Sequence, residues 1–577
     1  MAGLSSRSRT GKRPSSQVVP SVSIRRTVLS ALEWLLLLSP FFFGLFFPWG
    51  SALVSVVLSV LLFLLISQNA LCVSRSVLFL TATAIVVFHL GGILWGVDRG
   101  MALIGAVQFL PLPLFVLLLE QYDTEHRMRL LRRTPYAAAV MVLLSFLLSR
   151  IVFLQDWFLV AGRQAGFFQY PNTYAAYLLF AVVIVLFGKP LFGGRIPWLV
   201  MHILGIVLSG SRIVFFLLLA VLLVFLFREK SSKARLSVLA LGLLAVLGSV
   251  LYVLITGNRA SIGRFLTVSF TASEFLGRLL YAQDVIPVIL KHPLGIGYTG
   301  FRWLQGSFQT GVYYVQHVHN ELLQLLLDVG WIPAGLLLWT IWCGFRSPEG
   351  GFCRKMLLGV LLVHCLLDFD TQFVSVALLL FLVLDSEPQA TRAFQHISFP
   401  ALSLALLSLV SIWIGTASLS FYLGNSSDAV HLYPGYTTAL TDLLPEASEQ
   451  ELEMLADRIL RLNSSVALAH DAKAKTEFAS GSFSGMLTHK QEAIHLAKYN
   501  LMEYLDYFDL LRYSYELYSQ RGDMSSAEKC LTLIAEIPQM LETVREQTSR
   551  LGWMILEHPE LDLPDNYVAW LNAHPIQ

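Results

Sequence analysis

Residues 317–345 read HVHNELLQLLLDVGWIPAGLLLWTIWCGF, a short polar start followed by a long apolar run. The run from 320 to 345 is long enough to cross the hydrocarbon core of a bilayer, which takes about 20 apolar residues in a helix. Asn320 precedes the run, and asparagine is a favoured N-cap. The stretch therefore predicts a membrane helix that begins immediately after His319.

The composition of the whole chain extends this prediction. Of its 577 residues, 55% are hydrophobic and only 14% are charged, and the mean hydropathy is +0.63. An ordinary soluble domain has about 25% charged residues. The chain is therefore predicted to be an all-α, polytopic membrane protein, and nothing in it indicates binding of nucleic acid.

The same length criterion predicts about thirteen membrane helices. The segment 196–210 and the two around Asp368 are the shortest. The predicted segments are 27–47, 51–67, 76–96, 101–119, 135–155, 173–188, 196–210, 213–227, 236–256, 320–345, 356–369, 371–385 and 399–422.

The placement of lysine and arginine predicts the orientation, because short cytoplasmic loops collect these residues. With the N-terminus inside the cell, the basic residues gather in the inside segments, and the short outside segments hold little beyond Arg99, Arg163 and Arg212. The inside residues are Arg7, Arg9, Lys12, Arg13, Arg25, Arg26, Arg127, Arg129, Arg132, Arg133, Lys189, Arg195, Arg228, Lys230, Lys233, Arg235, Arg346, Arg354 and Lys355.

This topology divides the chain into three parts. Residues 1–26 are predicted to be a disordered, basic cytoplasmic tail, residues 27–422 the membrane domain with a large extracytoplasmic loop at 257–319, and residues 424–577 an extracytoplasmic helical domain. In the last part, Ala493 and Ala527 lie 34 residues apart, which is the period of a tetratricopeptide repeat. An irregular helical bundle is the alternative.

His317 and His319 allow three interpretations: a metal site, a helix end at the membrane interface, or a catalytic centre. No third metal ligand of matching spacing follows the two histidines, and the five cysteines lack paired metal-ligand spacing. Glu321 could be a ligand but is as readily a solvated acid in the first helical turn. No metal is predicted. At a helix N-terminus, His319 can have a pKa near neutrality, which suits proton transfer.

Charged and polar side chains at the membrane rim are candidates for function, because such groups are costly there. Arg212 follows the small residues of a bend, where its guanidinium either contacts lipid headgroups or binds a phosphate in bidentate fashion. Arg264 and Arg278 lie in the large loop.

Three further polar residues interrupt apolar segments. His364 and Asp368 are spaced to share one helix face and either orient a site or cap a helix. Asn172 closes a short aromatic loop.

Five motifs together resemble the O-antigen ligase and Wzy-type polymerase superfamily of bacterial membrane glycosyltransferases. They are GFFQYPNTYAAYL (166–178), LSGSRIVFF (208–216), GRLLYAQDVIPVILKHPLGIGYTGF (277–301), HNELLQLLLDVGWIPAG (319–335) and HCLLDFDTQF (364–373). The resemblance covers roughly residues 30 to 390. The helical domain after it is similar to that of repeat-bearing members.

The resemblance implies a GT-C-like helix bundle that transfers or polymerises glycan from a polyprenyl diphosphate carrier onto an acceptor hydroxyl. It implies that Arg212 and Arg278 bind the diphosphate, with Arg264 as an alternative partner of Arg212, and that His319 takes the acceptor proton. It further implies no metal or cofactor, a glycan, lipid or protein acceptor, and a place at the outer face of the bacterial cytoplasmic membrane, with the C-terminal domain outside and free to bind a protein partner.

Two other classes of function stay open. A transporter of lipid-linked glycan also has about a dozen helices, but its ionisable residues should follow a central pathway, and here they gather at one face. A non-catalytic assembly scaffold would be indifferent to His319 and Arg212. Ligase and polymerase share their donor chemistry, and the sequence does not separate them.

Overall fold

The computed structural model describes residues 22–68, 71–73, 76–189, 192, 194–256, 273–349, 351–384, 392–393, 398–555 and 557–575. Among the described residues, 79% are helical and almost none form strands, so the predicted all-α fold is confirmed. Most of the predicted N-terminal tail lies outside the described residues, and a helix already begins at Val22, four residues before the predicted end of that tail.

Twelve helices precede the large loop. They are α1 (Val22–Leu38), α2 (Pro48–Ser67), α3 (Val77–Trp95), α4 (Ala102–Phe109), α5 (Pro111–Leu119), α6 (Thr124–Leu131), α7 (Thr134–Leu148), α8 (Gln155–Phe158), α9 (Pro171–Phe187), α10 (Ile196–Ser209), α11 (Arg212–Arg228) and α12 (Ser232–Thr256).

The described part of the large loop contains two helices, and five more complete the membrane domain. The loop helices are α13 (Ser273–Lys291) and α14 (Gly300–Phe308). The others are α15 (Glu321–Val329), α16 (Trp331–Arg346), α17 (Gly351–Cys365), α18 (Val374–Val383) and α19 (Ser398–Tyr422).

The C-terminal region continues with short and long helices. They are α20 (Ser426–Leu432), α21 (Thr437–Leu443), α22 (Glu449–Leu462), α23 (Ala467–Ala479), α24 (Phe483–Leu496), α25 (Leu501–Arg521), α26 (Met524–Gln547), α27 (Arg550–Met554) and α28 (Asp565–Ala573).

Short 3-10 helices and strands complete the described elements. The 3-10 helices are Ser39–Phe41, Phe43–Leu45, Val152–Leu154, Gly166–Phe168, Asp370–Gln372 and Leu444–Glu446. Strand β1 (Cys72–Val73) pairs antiparallel with β4 (Arg392–Ala393), and β2 (Leu159–Val160) pairs antiparallel with β3 (Arg163–Gln164).

Each predicted membrane segment overlaps one helix or two consecutive helices, but the segments 27–47, 135–155 and 356–369 extend past the ends of their α-helices at Leu38, Leu148 and Cys365. Within the described residues, five helical segments are long and apolar enough to cross a bilayer, namely Pro48–Ser67, Val77–Trp95, Ala102–Leu119, Thr124–Leu148 and Pro400–Tyr422. Pro171–Phe187, Ile196–Ser209 and Val374–Val383 are shorter apolar helices. The chain is a polytopic membrane protein.

The segment 320–345, predicted as one helix, is divided at Gly330. This glycine has a φ of 75°, and a Cβ there would lie 2.3 Å from the carbonyl oxygen of Pro293. The loop after α13 packs against the break, since Ile296 N donates to Leu327 O at 2.6 Å and Trp331 N donates to Pro293 O at 2.9 Å. The glycine-rich run after His292 therefore packs against a helix break.

Two helices form the centre of the bundle. Almost every residue of α9 and every residue of α18 is buried. α9 packs against α7, α10, α11 and α17, while α18 packs against α5 and α17. The segments that precede these two helices, 163–170 and 366–373, meet at one end of the bundle, which we call the site end.

The C-terminal region packs against the site end. Its helices pair in sequence order, α23 with α24 and α25 with α26. Ser549 N donates to Thr310 O at 2.9 Å, and Lys498 Nζ donates to Ser307 O at 3.3 Å. The large loop is thus held between the bundle and the C-terminal helices. The tetratricopeptide assignment of these helix pairs stays a prediction.

Candidate active site

Asp368 is the centre of a buried hydrogen-bond network at the site end. Its Oδ1 accepts from Tyr170 Oη at 2.9 Å, and its Oδ2 accepts from Asn172 Nδ2 at 2.8 Å. Arg278 Nη2 lies 3.3 Å from the same Oδ2. The carboxyl group is fully buried. Because a buried charge is tolerated only when it is paired and hydrogen-bonded, this network holds an Asp–Arg ion pair.

Arg278 keeps part of its side chain accessible. Its side chain is 19% exposed, whereas that of Asp368 is not exposed at all. A guanidinium carries five N–H donors in a fixed plane. Asp368 therefore orients Arg278 while leaving donors available for an anion that enters from the exposed side.

Arg212 reaches the same helix as Arg278. Its Nη2 donates to Glu274 Oε2 at 3.0 Å, and Glu274 lies one turn before Arg278 on α13. The Glu274 side chain is 56% exposed. The structure therefore brings the two predicted arginines to the first turns of α13, although they are 66 positions apart in the sequence.

His319 lies beside this arginine pair. Its ring centroid is 5.1 Å from that of Phe369 and 5.8 Å from that of Tyr281, which is on α13. Burial lowers the pKa of His319 below its ordinary value of 6.5, the charge of Asp368 opposes this, and Arg278 lowers it further. The imidazole is therefore neutral at pH 7. Its Nδ1 is buried and has no hydrogen-bond partner among the described residues.

Asn320 caps α15, as predicted. Its Oδ1 accepts from Leu323 N at 3.0 Å, and its Nδ2 donates to Leu366 O at 2.9 Å. The second bond ties the start of α15 to the loop that carries Asp368. The cap therefore sets the position of His319 relative to Asp368.

With this geometry, the comparisons with known proteins can be read residue by residue. The family model described as O-antigen ligase matches residues 197–340. In this segment the chain is similar to the O-antigen ligase family. No curated protein and no solved structure gives a significant match to the chain. The family is one of membrane glycosyltransferases of the ligase or polymerase type.

The ligase segment contains Arg212, Arg278 and His319, but Asn172 and Asp368 lie outside it. The structure joins the two sets, because Asp368 contacts both Asn172 and Arg278. Arg264 lies outside the described residues, so its place relative to Arg212 stays a prediction.

Arg163 is part of the site, although sequence reasoning assigned it only to an outside loop. Its Nη2 donates to Asn172 Oδ1 at 3.0 Å, and its Nε donates to Ser209 O at 2.8 Å. It thereby joins the segment before α9 to the end of α10, three residues before Arg212. The signal that could have identified it is a lone arginine in a short aromatic loop otherwise poor in charge.

The predicted relation between His364 and Asp368 is wrong. α17 ends at Cys365, so Asp368 lies in the following loop and does not continue the helix face. His364 Nδ1 contacts Asp370 Oδ2, and Thr173 Oγ1 donates to Asp370 Oδ1 at 2.6 Å. His364 therefore supports the loop 366–373 through Asp370.

Glu321 is not a solvated acid. It is buried, and its oxygens accept from Thr371 N at 3.0 Å and from Gln372 Nε2 at 3.1 Å. His317 packs between Phe46 and Phe369, and burial lowers its pKa to about 3. In the part of the chain that the structure describes, no three His, Cys, Asp or Glu side chains are grouped to hold a metal ion.

Proposed function

We propose that the chain transfers a glycan from a polyprenyl diphosphate carrier to an acceptor hydroxyl at the outer face of the bacterial cytoplasmic membrane, in the synthesis of cell-surface polysaccharide. The observation that carries the proposal is the Asp368–Arg278 pair beside a neutral His319, because it combines a preorganised cation with a free base. The O-antigen ligase match over Arg212, Arg278 and His319 supports it.

The two arginines bind the diphosphate in this proposal. Arg278 is held by Asp368 and needs no reorientation when the leaving group gains charge, which is the condition for strong electrostatic stabilisation. Arg212 is held by the exposed Glu274. Because the Glu274 side chain is 56% exposed, water can solvate its carboxylate when a diphosphate takes its place on Arg212.

His319 acts as the general base. The acceptor oxygen attacks the anomeric carbon of the donor, and its proton passes to the neutral imidazole. The bond from the anomeric carbon to the diphosphate oxygen breaks, and the polyprenyl diphosphate leaves with the electron pair. A base with a pKa at or below neutrality is unprotonated at the working pH and can accept this proton.

The orientation follows from the charge distribution. Lysine and arginine residues cluster in the segments at the end of the bundle opposite to the site end, which is the pattern of a cytoplasmic face. The site end and the C-terminal helices would then lie outside the cytoplasm, where the glycan is carried by polyprenyl diphosphate and not by a nucleotide.

Substitution of Arg278 and His319 tests the proposal. Full-length variants are purified in detergent and incubated with a polyprenyl-diphosphate-linked repeat unit extracted from the source cell. Arg278→Ala and His319→Ala should each lose at least 100-fold in turnover, whereas the exposed controls Arg521→Ala and His292→Ala should stay within twofold. Full activity of both site variants at normal abundance would show that the assignment is wrong.

The same assay separates ligase from polymerase. A ladder of products from the repeat unit alone indicates polymerisation. If the donor alone stays unchanged and is consumed only after a second glycan, lipid or protein is added, the result indicates ligation.

A further inference from the structure

We propose that a cavity next to His317 binds a saccharide of the acceptor, and that the C-terminal region forms part of its wall. The inference rests on the proposed function and names a substrate subsite for it. The cavity has a volume of about 340 Å³. Cavities of about 300–1,000 Å³ are typical of small-molecule sites.

The cavity and the diphosphate site are connected by one aromatic ring. His317 lines the cavity, whereas His319 is close to Arg278 and Asp368. The ring centroid of Phe369 is 5.1 Å from that of each histidine. An acceptor in the cavity would therefore lie close to His319 and to a donor on Arg278, as a transfer between two glycans requires.

The lining has the chemistry of a sugar site. Tyr422 and other aromatic rings offer flat apolar surfaces, and the amides of Gln108 and Gln316 offer hydrogen bonds. Among the described residues that line it, Arg302 is the only lysine or arginine and Asp328 is the only aspartate or glutamate. This mixture of apolar surface and a few neutral polar groups suits hydroxyl-rich, uncharged rings better than a diphosphate.

Two polar atoms in the lining lack a partner. Gln108 Oε1 and His317 Nδ1 are buried, and within the described ranges neither has a hydrogen-bond partner. Gln108 Nε2 donates to Leu45 O and Phe46 O, each at 3.0 Å, which fixes the direction of the amide. Buried polar atoms are normally satisfied, and a hydroxyl group can donate to one and accept from the other.

The C-terminal region is a fixed part of the cavity. Tyr436 and Thr438 line it, and the intervening Thr437 donates through Oγ1 to Asp98 Oδ1 at 2.8 Å. Asp98 Oδ2 accepts from Thr299 Oγ1 at 3.1 Å, and Thr299 also lines the cavity. One fully buried carboxylate thus joins the ligase domain to the C-terminal wall. We infer that the C-terminal region helps to select the acceptor.

Equilibrium binding of a lipid-free oligosaccharide tests the inference. The probe is the repeat unit released by mild acid from the polyprenyl-linked donor of the source cell and labelled at its reducing end. It is titrated against the full-length protein in detergent. Thr438→Phe fills the cavity and Gln316→Ala removes an exposed amide, and each should weaken binding at least tenfold.

Matched controls carry the same changes at exposed positions of the C-terminal region. Thr543→Phe and Gln547→Ala should change the dissociation constant by less than twofold. The double variant Arg278→Ala with Asp368→Asn, in which the buried group is neutral, should abolish turnover yet leave binding of the lipid-free probe within twofold. Gln316→Ala keeps the test valid if Thr438→Phe fails to fold.

Two outcomes would overturn the inference: no saturable binding to the unsubstituted protein, or unchanged binding in both cavity variants. Neither outcome alters the expected loss of turnover on substitution of Arg278 or His319. Normal turnover after those substitutions would instead overturn the proposed function, whatever the cavity variants show.

Discussion

Two regions of the molecule bury a charged side chain. They differ in whether a partner of that side chain keeps hydrogen-bond donors free for a ligand. In the C-terminal region, Lys490 is completely buried and contacts Asp471 and Glu503, the latter at 2.6 Å. Burial opposes its charge, but these hydrogen bonds outweigh burial and raise its pKa. At the site end, Asp368 is equally buried, but its partner Arg278 is 19% exposed.

The difference shows that a buried charge does not by itself mark a functional site. In the Lys490 cluster every charge is paired with another member, including those of the half-exposed Lys475 and Asp506, and this closed network supports the packing of three helices, α23, α24 and α25. The Asp368 network is open, because one partner faces an accessible space and a neutral histidine lies beside it. Spare donors and accessibility, in addition to burial, separate a site from a structural ion pair.

The largest expected effect comes from removing the cation of the Asp368 network. Arg278→Ala leaves Asp368 as an unpaired buried carboxylate, which costs about 3–5 kcal/mol of stability. Folding and activity should both fall. In the double variant Arg278→Ala with Asp368→Asn, the buried group is neutral, so thermal stability should return while turnover stays at least 100-fold reduced. Recovery of turnover in the double variant would contradict a catalytic role for Arg278.

The closed network should lose stability without losing chemistry. Lys490→Met leaves Glu503 without its lysine partner and Asp471 with only the half-exposed Lys475, and we expect a loss of about 3–5 kcal/mol measured by thermal unfolding of the C-terminal region. The control Lys475→Met removes a side chain that is 51% exposed and leaves Asp471 paired with Lys490, so its cost should stay within about 1 kcal/mol. Equal losses for the two lysines would remove the distinction between a buried and a half-exposed partner.

The pH dependence of activity tests the open network directly. The pKa of His319 lies below 6.5. We therefore expect kcat/KM to be constant near pH 7 and to fall only when the pH approaches this pKa and the imidazole becomes protonated. The charge of Asp368 raises this pKa, so Asp368→Asn should move the acid limb to lower pH.

The control for this shift is Asp565→Asn, a change at an exposed residue of the C-terminal region. It should leave the position of the acid limb unchanged. An acid limb that stays in place in Asp368→Asn would show that Asp368 does not act on the group that titrates.

Local features of the site could be predicted from the sequence, and contacts between distant segments could not. The length of apolar runs predicted the helices, and one favoured cap residue predicted that α15 begins after Asn320. Asn172 and Asp368 were also identified, but their contact joins residues 196 positions apart. Nothing in either local sequence indicates that segments 163–170 and 366–373 meet.

The incorrect predictions have the same origin. Glu321 was read as a solvated acid because the first turn of a helix favours one. Its burial depends on Thr371 and Gln372, which belong to a loop about 50 residues away. Likewise, the predicted face with His364 and Asp368 assumed that the helix continued, whereas tertiary contacts of Asp370 end it earlier.

The smallest expected effect comes from removing one helix cap in each region. Asn320 caps α15 at the site end, and Asn500 caps α25 in the C-terminal region, where its Oδ1 accepts from Met502 N at 3.2 Å. Loss of an asparagine cap costs about 1 kcal/mol. Asn320→Ala and Asn500→Ala should therefore lower thermal stability by similar small amounts.

Their effects on activity should differ. Asn320 also donates to Leu366 O, and without this bond His319 and the loop of Asp368 are no longer held in one geometry. Asn320→Ala should lower kcat several-fold, whereas Asn500→Ala should leave it unchanged. Asn320→Asp, which keeps the cap acceptor but loses the donor, should match Asn320→Ala in kcat while regaining stability. If Asn320→Asp restores kcat as well, the cap alone positions His319 and the bond to Leu366 does not contribute.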